Sequence, residues 1–117
     1  MGERLYHLAL ARDWETDTAP EYAMSTLGRT VADEGFVHCS FAHQVQAVAD
    51  RFYRGRPDVV LLEIDAGALT APVKVESLGG PEAFPHIYGP LNRTAVLRAA
   101  PVPLRPDGRL DIPAAMP

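Results

Sequence analysis

The chain has 117 residues, 47% of them hydrophobic and 22% charged, the balance of an ordinary soluble globular protein built on a single core. A formal charge of −4 with scattered arginines argues against a DNA partner and disfavours RNA, because phosphate neutralisation wants clustered Lys and Arg. One cysteine excludes an internal disulfide, and no apolar run approaches the ~20 residues of a membrane helix.

The first residues, MGERLYHLAL, show no basic-then-apolar signal pattern. With the lone cysteine, that sets the expectation of a cytoplasmic protein forming one domain over 1–117. RLYHLAL (Arg4 to Leu10) alternates as a strand, with Tyr6, Leu8 and Leu10 on one face and Leu5, His7 and Ala9 on the other. ARDWETD then predicts a short helix or turn with Asp13 as N-cap. The stretch TAPEYAMSTLGRTVADEG, broken by Pro20, Gly28 and Gly35, reads as mostly loop with a helical turn.

FVHCS (Phe36 to Ser40) is the second strand, and Ser40 stands where an N-cap belongs. A helix over about 41–54 follows, with Val45, Val48, Ala49 and Phe52 as its buried stripe and Gly55 at its C-cap. The nearby cluster RFYRGR complements that helix's dipole better than it grips phosphate. DVVLLEID has the unbroken apolar run of a strand buried on both faces. APVKVES, FPHIYGP and RTAVLRAAPVPL supply further strands, and RPDGRLDIP a turn around Pro106, Asp107 and Gly108. The proline-rich end, 110–117, reads as a frayed tail. Five to seven strands with one substantial helix make an α+β protein with mostly antiparallel pairing, a βαβ step around the helix remaining open.

Strand period decides which polar residues can meet. In FVHCS, Phe36, His38 and Ser40 share a face, while Val37 and Cys39 point away. A Cys39–His38 dyad is therefore geometrically poor, and Cys39 reads as a small core side chain. Ser40 can join His38 in a pocket or simply cap the helix. In FPHIYGP, His86 and Tyr88 share one face of a short strand stiffened by Pro85, Gly89 and Pro90. That pair suits stacking and hydrogen bonding to a planar ligand, or closes an ordinary edge strand. His7, flanked by apolar residues, is either a satisfied core histidine or a partner of His38. His43, on the helix, reads as a surface residue.

Dinucleotide-binding and phosphate-binding glycine loops are absent, as are H-E-x-x-H, C-x-x-C and G-x-S-x-G. No metal is predicted; a zinc hydrolase would need ligands assembled from distant histidines.

LYHLAL with Trp14 shortly after, EGFVHCS, VADRFYRG, VVLLEID and FPHIYGPL together resemble the bacterial family numbered 952 among domains of unknown function. The resemblance runs from about Leu5 to Val102. It implies the fold of the ADP-ribosyltransferase-like superfamily, a split β core whose cleft grips bent NAD in active relatives; RNA 2′-phosphotransferases belong to the same group. Carried over, His7 takes the first-strand position at the ribose, and His38 with Ser40 the second. His86 and Tyr88 line the cleft where the third motif belongs. The glutamate of that third motif is missing, with Glu82 in a neighbouring loop and Glu63 and Glu76 on other strands.

The resemblance implies NAD as a substrate, with transfer or hydrolysis at the nicotinamide–ribosyl bond through a dissociative mechanism, or else phosphotransfer. His7 would position ribose, His38 would polarise or move a proton, His86 would assist, and Tyr88 would stack on nicotinamide. A non-catalytic domain binding a small ligand or nucleotide in the same cleft is the alternative. The sequence leaves the acceptor and the oligomeric state open.

Overall fold

The run Val59 to Asp65 lies at the centre of the fold, and its continuous hydrophobicity has a direct cause. Even-numbered Val60, Leu62 and Ile64 enter one core, odd-numbered Val59 and Leu61 the other. All five are 3% exposed or less, which is why no polar alternation marks this strand. Burial of that many β-branched and leucine side chains, at about 1.5–3 kcal/mol each, makes it the natural organiser of its neighbours.

The computed structural model describes residues 3–16, 21–26, 29–77 and 79–112. In chain order the elements are β1 (Arg4–Leu10), α1 (Ala11–Thr16), β2 (Glu21–Tyr22), β3 (Met24–Thr26) and β4 (Arg29–Thr30). Next come α2 (Val31–Glu34), β5 (Val37–His38), α3 (Val45–Phe52), β6 (Val59–Asp65) and β7 (Val73–Glu76). The chain ends in β8 (Phe84–Ile87), β9 (Leu91–Asn92) and β10 (Val96–Pro101). One three-stranded sheet has the order β1-β6-β10 and another β5-β8-β7, with β2-β9 and β3-β4 as small pairs. The pairing is antiparallel in each. The protein is thus α+β with one main helix. Because β5 and β6 lie in different sheets, α3 makes no βαβ crossover. No helix among the described residues is long and apolar enough to cross a membrane.

The first sheet is covered on both sides. Tyr6, Leu8, Val59 and Leu61 pack under Val45 and Ala49 of α3. Leu5, Ala9, Val60, Leu62 and Ile64 pack against Val37 and Ile87 of the second sheet. The sheets are also sewn together by backbone: Tyr6 and Ser40 exchange N–H···O bonds of 2.8 and 2.7 Å as an isolated antiparallel bridge.

Several sequence expectations need correction. Asp13 lies inside α1 rather than at its cap, because the helix follows β1 directly and Ala11 already donates its N–H to the Asp58 carbonyl at 2.8 Å. The stretch expected to be mostly loop with a helical turn has such a turn in α2 but also holds β2, β3 and β4 in its described parts, since β2 finds partners as remote as Leu91 and Asn92. Thr30 caps α2 with a capping box, its hydroxyl accepting from Asp33 N–H while the Asp33 carboxylate accepts from Thr30 N–H.

Ser40 does not cap the main helix, since its backbone is committed to the bridge with Tyr6. The chain enters α3 through a 3-10 turn, Ala42–Gln44, whose first residue boundary is secured by the Gln44 side chain accepting from Phe41 N–H at 2.9 Å. The helix ends at Phe52, not near Arg54. Phe52 is 58% exposed, and Tyr53, 4% exposed, takes the buried place expected for it. A stripe advancing from Val45 to Ala49 reaches position 53 after two spacings of four, so the apolar face had been drawn one residue short. Leu110 is fully buried and pairs with Leu104, so the tail does not begin at 110. Residues 113–117 lie outside the described part.

Candidate functional site

The second sheet supplies the floor of the site. Register sets His38 opposite His86, and His86 opposite Lys74, so one row of three polar side chains crosses β5, β8 and β7. Their neighbours Val37, Ile87 and Val73 alternate to the other face and anchor the sheet in the core. This is the face sharing expected from FVHCS and FPHIY. Gly89 lets the chain leave β8, because a Cβ there would stand 2.8 Å from the Ala71 Cβ.

Phe36 organises the row. Its ring stacks on His86 with centroids 4.2 Å apart, and lies 4.7 Å from His38 and 5.3 Å from Tyr88. The backbone of Phe36 is held in turn by the buried Ser25 hydroxyl, which donates to its carbonyl. His38 and His86 meet edge to face at 5.4 Å.

Each imidazole has its own carboxylate. Glu76 on β7 accepts from His86 Nδ1 at 2.9 Å and from the Tyr88 hydroxyl. The Tyr88 and His86 donors together hold the Glu76 carboxyl below its ordinary range, while the same contact pushes the Tyr88 phenol up. Lys74 Nζ lies 4.7 Å over the Tyr88 ring. On the other strand, His38 Nε2 meets Glu34 Oε1 at 3.3 Å. Glu34 also receives Arg29 Nε at 2.7 Å, and His38 and Arg29 lower its carboxyl.

His7 is placed differently. It is 2% exposed and both ring nitrogens are taken. Nδ1 donates to the His38 carbonyl at 2.6 Å, a group that can only accept, and Nε2 therefore accepts from the Tyr22 hydroxyl at 3.1 Å. Burial holds its pKa at about 4, against the partial support of the His38 carbonyl, so the ring is neutral near pH 7. Tyr22, itself buried, has its phenol pushed up by desolvation.

A cleft of ≈ 780 Å³ opens between this floor and the last turn of α3. His38, His86 and Ser40 line it at the bottom, Phe84 and Phe52 at the sides, and Arg51 at the helix wall. Gly79 to Glu82 form its rim, fastened by the buried Gln44 side chain, which donates to Glu82 at 3.1 Å and to the Ala83 carbonyl at 2.8 Å. The structure thus brings His38, His86 and Ser40 to one cleft and joins Tyr88 to His86 through Glu76. Neither His7 nor Tyr88 is among the residues that line it. Cys39 reaches the cleft but is 4% exposed, and burial raises its thiol, the opposite of what a nucleophile needs. His43 is exposed, its ring stacked on Phe41. No group of three His, Cys, Asp or Glu among the described residues is placed to hold a metal.

Sequence reasoning missed Phe36, Glu34, Arg51 and Tyr22 as parts of the site, and left Glu76 unassigned. The alternation of APVKVES does put Lys74 and Glu76 on one polar face, which is the signal available. Glu63 lies elsewhere, with Arg4 at 3.8 Å and Arg98 at 3.4 Å.

Fold and site define an α+β protein in which two carboxylate-backed histidines floor a cleft between a sheet and one helix. The chain belongs to the family described as "Protein of unknown function (DUF952)", which it matches over residues 9–99. It is similar to the crystal structure of protein CC0527 from Caulobacter crescentus, at 29% identity and a TM-score of 0.81, covering 93% of this chain and 94% of that one. The solution NMR structure of CC0527 is similar at 30% identity and a TM-score of 0.75, covering 91% and 90%. No curated protein matches the chain.

Proposed function

We propose that the chain binds a nucleotide of the NAD class in this cleft and breaks the bond between nicotinamide and ribose, by transfer or by hydrolysis. The carrying observation is the floor itself: His38 and His86 side by side, in a cleft whose walls hold two phenylalanines and a guanidinium. Phe84 offers a face to a planar ring, and Arg51, whose guanidinium lies 5.3 Å over the Phe52 ring, complements a pyrophosphate. His38, its Nε2 held by Glu34, has Nδ1 left to take a proton from an attacking hydroxyl or to polarise the ribose. As nicotinamide leaves, hydrogen-bonding groups of the floor stabilise the oxocarbenium-like centre.

The resemblance to the ADP-ribosyltransferase-like superfamily supports the substrate class by analogy of fold. Two roles drawn from it change. His7, with both nitrogens occupied, positions His38 through the carbonyl rather than touching ribose. Tyr88, bound to Glu76 and covered by Lys74, leaves stacking to Phe84. Of the carboxylates, Glu82 lines the cleft and Glu76 stands behind His86.

Incubation with NAD and measurement of free nicotinamide tests the reading. Wild type releases nicotinamide, and His38→Gln lowers the rate by about 100-fold or more, the usual contribution of a positioned acid or base. A second reading, a binding domain without turnover, is favoured by the lack of a glutamate between Phe84 and Gly89. It predicts thermal stabilisation by NAD with no nicotinamide formed. Absence of both effects overturns the two together.

A further inference from the structure

The nicotinamide reaction leaves one of the two imidazoles without work. Nicotinamide departs from a cationic ring as a neutral molecule and takes no proton, so one base at the acceptor suffices. Yet the floor carries two histidines in matched settings. They are a direct cross-strand pair, with ring centroids 5.4 Å apart. Each spends one nitrogen on a glutamate, His38 Nε2 on Glu34 and His86 Nδ1 on Glu76. The remaining nitrogens, His38 Nδ1 and His86 Nε2, have no partner among the described residues. Neither is sealed, since no fully buried, unpartnered side-chain nitrogen or oxygen occurs there. His86 is only 2% exposed, so the little of it that is accessible includes that nitrogen, and the residue lines the cleft.

Two imidazoles so arranged suit a reaction in which a proton is taken at one end and given at the other. Displacement at phosphorus is that case, because the entering water must lose a proton and the departing ribose oxygen must gain one. Arg51 on the cleft wall supplies a fixed charge for the non-bridging phosphoryl oxygens. We propose that His38 and His86 form a general base–general acid pair that hydrolyses a cyclic phosphodiester carried on a nucleoside. This activity is distinct from the nicotinamide chemistry and does not depend on it.

The step balances without metal or further reagent. Water oxygen bonds to phosphorus while neutral His38 takes its proton at Nδ1. The bond from phosphorus to one ribose oxygen breaks, and protonated His86 gives its Nε2 proton to that oxygen. A phosphomonoester and a free hydroxyl result, and proton exchange with solvent resets the two rings. Glu34 and Glu76 are positioning residues, orienting the rings and offsetting the charge each carries in turn. The other charged or titratable groups around the pair are Arg29 on Glu34, Tyr88 on Glu76, Lys74 across the strand from His86, His7 on the His38 carbonyl, Cys39 beside His38, and Glu82 at the rim.

The test is incubation of the full chain with a nucleoside 2′,3′-cyclic monophosphate, with product followed by phosphorus NMR across pH. Wild type forms one monoester isomer with a bell-shaped rate profile, as a base and an acid acting together require. His38→Gln, at the half-exposed ring, lowers the rate about 100-fold or more while thermal unfolding shows it folded. Glu34→Gln retains part of the rate and displaces one limb of the bell; a purely structural Glu34 would leave the limbs in place. His86→Gln, if folded, matches His38→Gln; if it unfolds, His38→Gln decides alone. No hydrolysis by wild type, or an unchanged rate in folded His38→Gln, overturns the proposal. Nicotinamide release from NAD by the same preparations is scored separately, so either activity stands or falls without the other.

Discussion

His7 and His38 are joined by a single hydrogen bond, yet they occupy opposite kinds of surroundings. His7 sits buried, with both nitrogens satisfied by protein. His38 stands one side chain nearer the cleft, with one nitrogen on a half-buried glutamate and the other open. The same residue type is structural in one place and chemically available in the other, and partner count separates them better than burial does. His86 makes that plain: it is as buried as His7, but only one of its nitrogens is taken.

The contrast is broken most directly by His7→Leu. That change strands the Tyr22 hydroxyl and the His38 carbonyl, at about 1–3 kcal/mol each, for a loss of about 4 kcal/mol in urea unfolding. A cost under 1 kcal/mol would mean that the interior tolerates unpaired groups and that the distinction fails. Next comes acid. His7 titrates near 6.5 unfolded and at about 4 folded, so between those values the unfolded chain binds the extra proton. Its contribution is complete above pH 6.5, falls as pH drops toward 4, and amounts to about 3 kcal/mol. Stability curves of wild type and His7→Asn converge over that interval if the assignment holds, and stay parallel if it does not.

Smaller effects sharpen the other side. His38→Ala removes a half-exposed ring with one long hydrogen bond, and costs about 1 kcal/mol in the same unfolding assay. A loss near that of His7→Leu would make His38 structural too. Phe52→Ser, on the cleft wall, changes stability by no more than about 0.5 kcal/mol. Its effect belongs in ligand affinity, read by titration with NAD. A large drop in unfolding midpoint would instead place Phe52 in the core.

Much of this was visible in the sequence where local pattern and burial agree. The strand Val59 to Asp65 follows from its unbroken apolar run, and the two faces of FVHCS and the shared face of His86 and Tyr88 from a two-residue period. What was hidden depended on partners far along the chain. Ser40 looks like a helix cap until Tyr6 claims its backbone, and the short strand Glu21–Tyr22 needs Leu91 and Asn92 to exist. Glu76 could not be assigned to His86 because period two says which face a residue occupies and nothing about register between strands. Glu34 was hidden because its helix α2 turns back toward His38 across Gly35. Phe52 was misplaced by one position, enough to move an aromatic ring from the interior to the cleft.

The seam between Tyr6 and Ser40 is made of peptide groups alone. Side-chain chemistry at position 40 is therefore decoupled from the joining of the sheets, and a residue with an amide hydrogen and a side chain small enough for this buried place keeps the seam. A library of small residues at that one codon would retune the chemistry of the cleft floor on an unchanged scaffold, with proline and bulky side chains the substitutions to leave out.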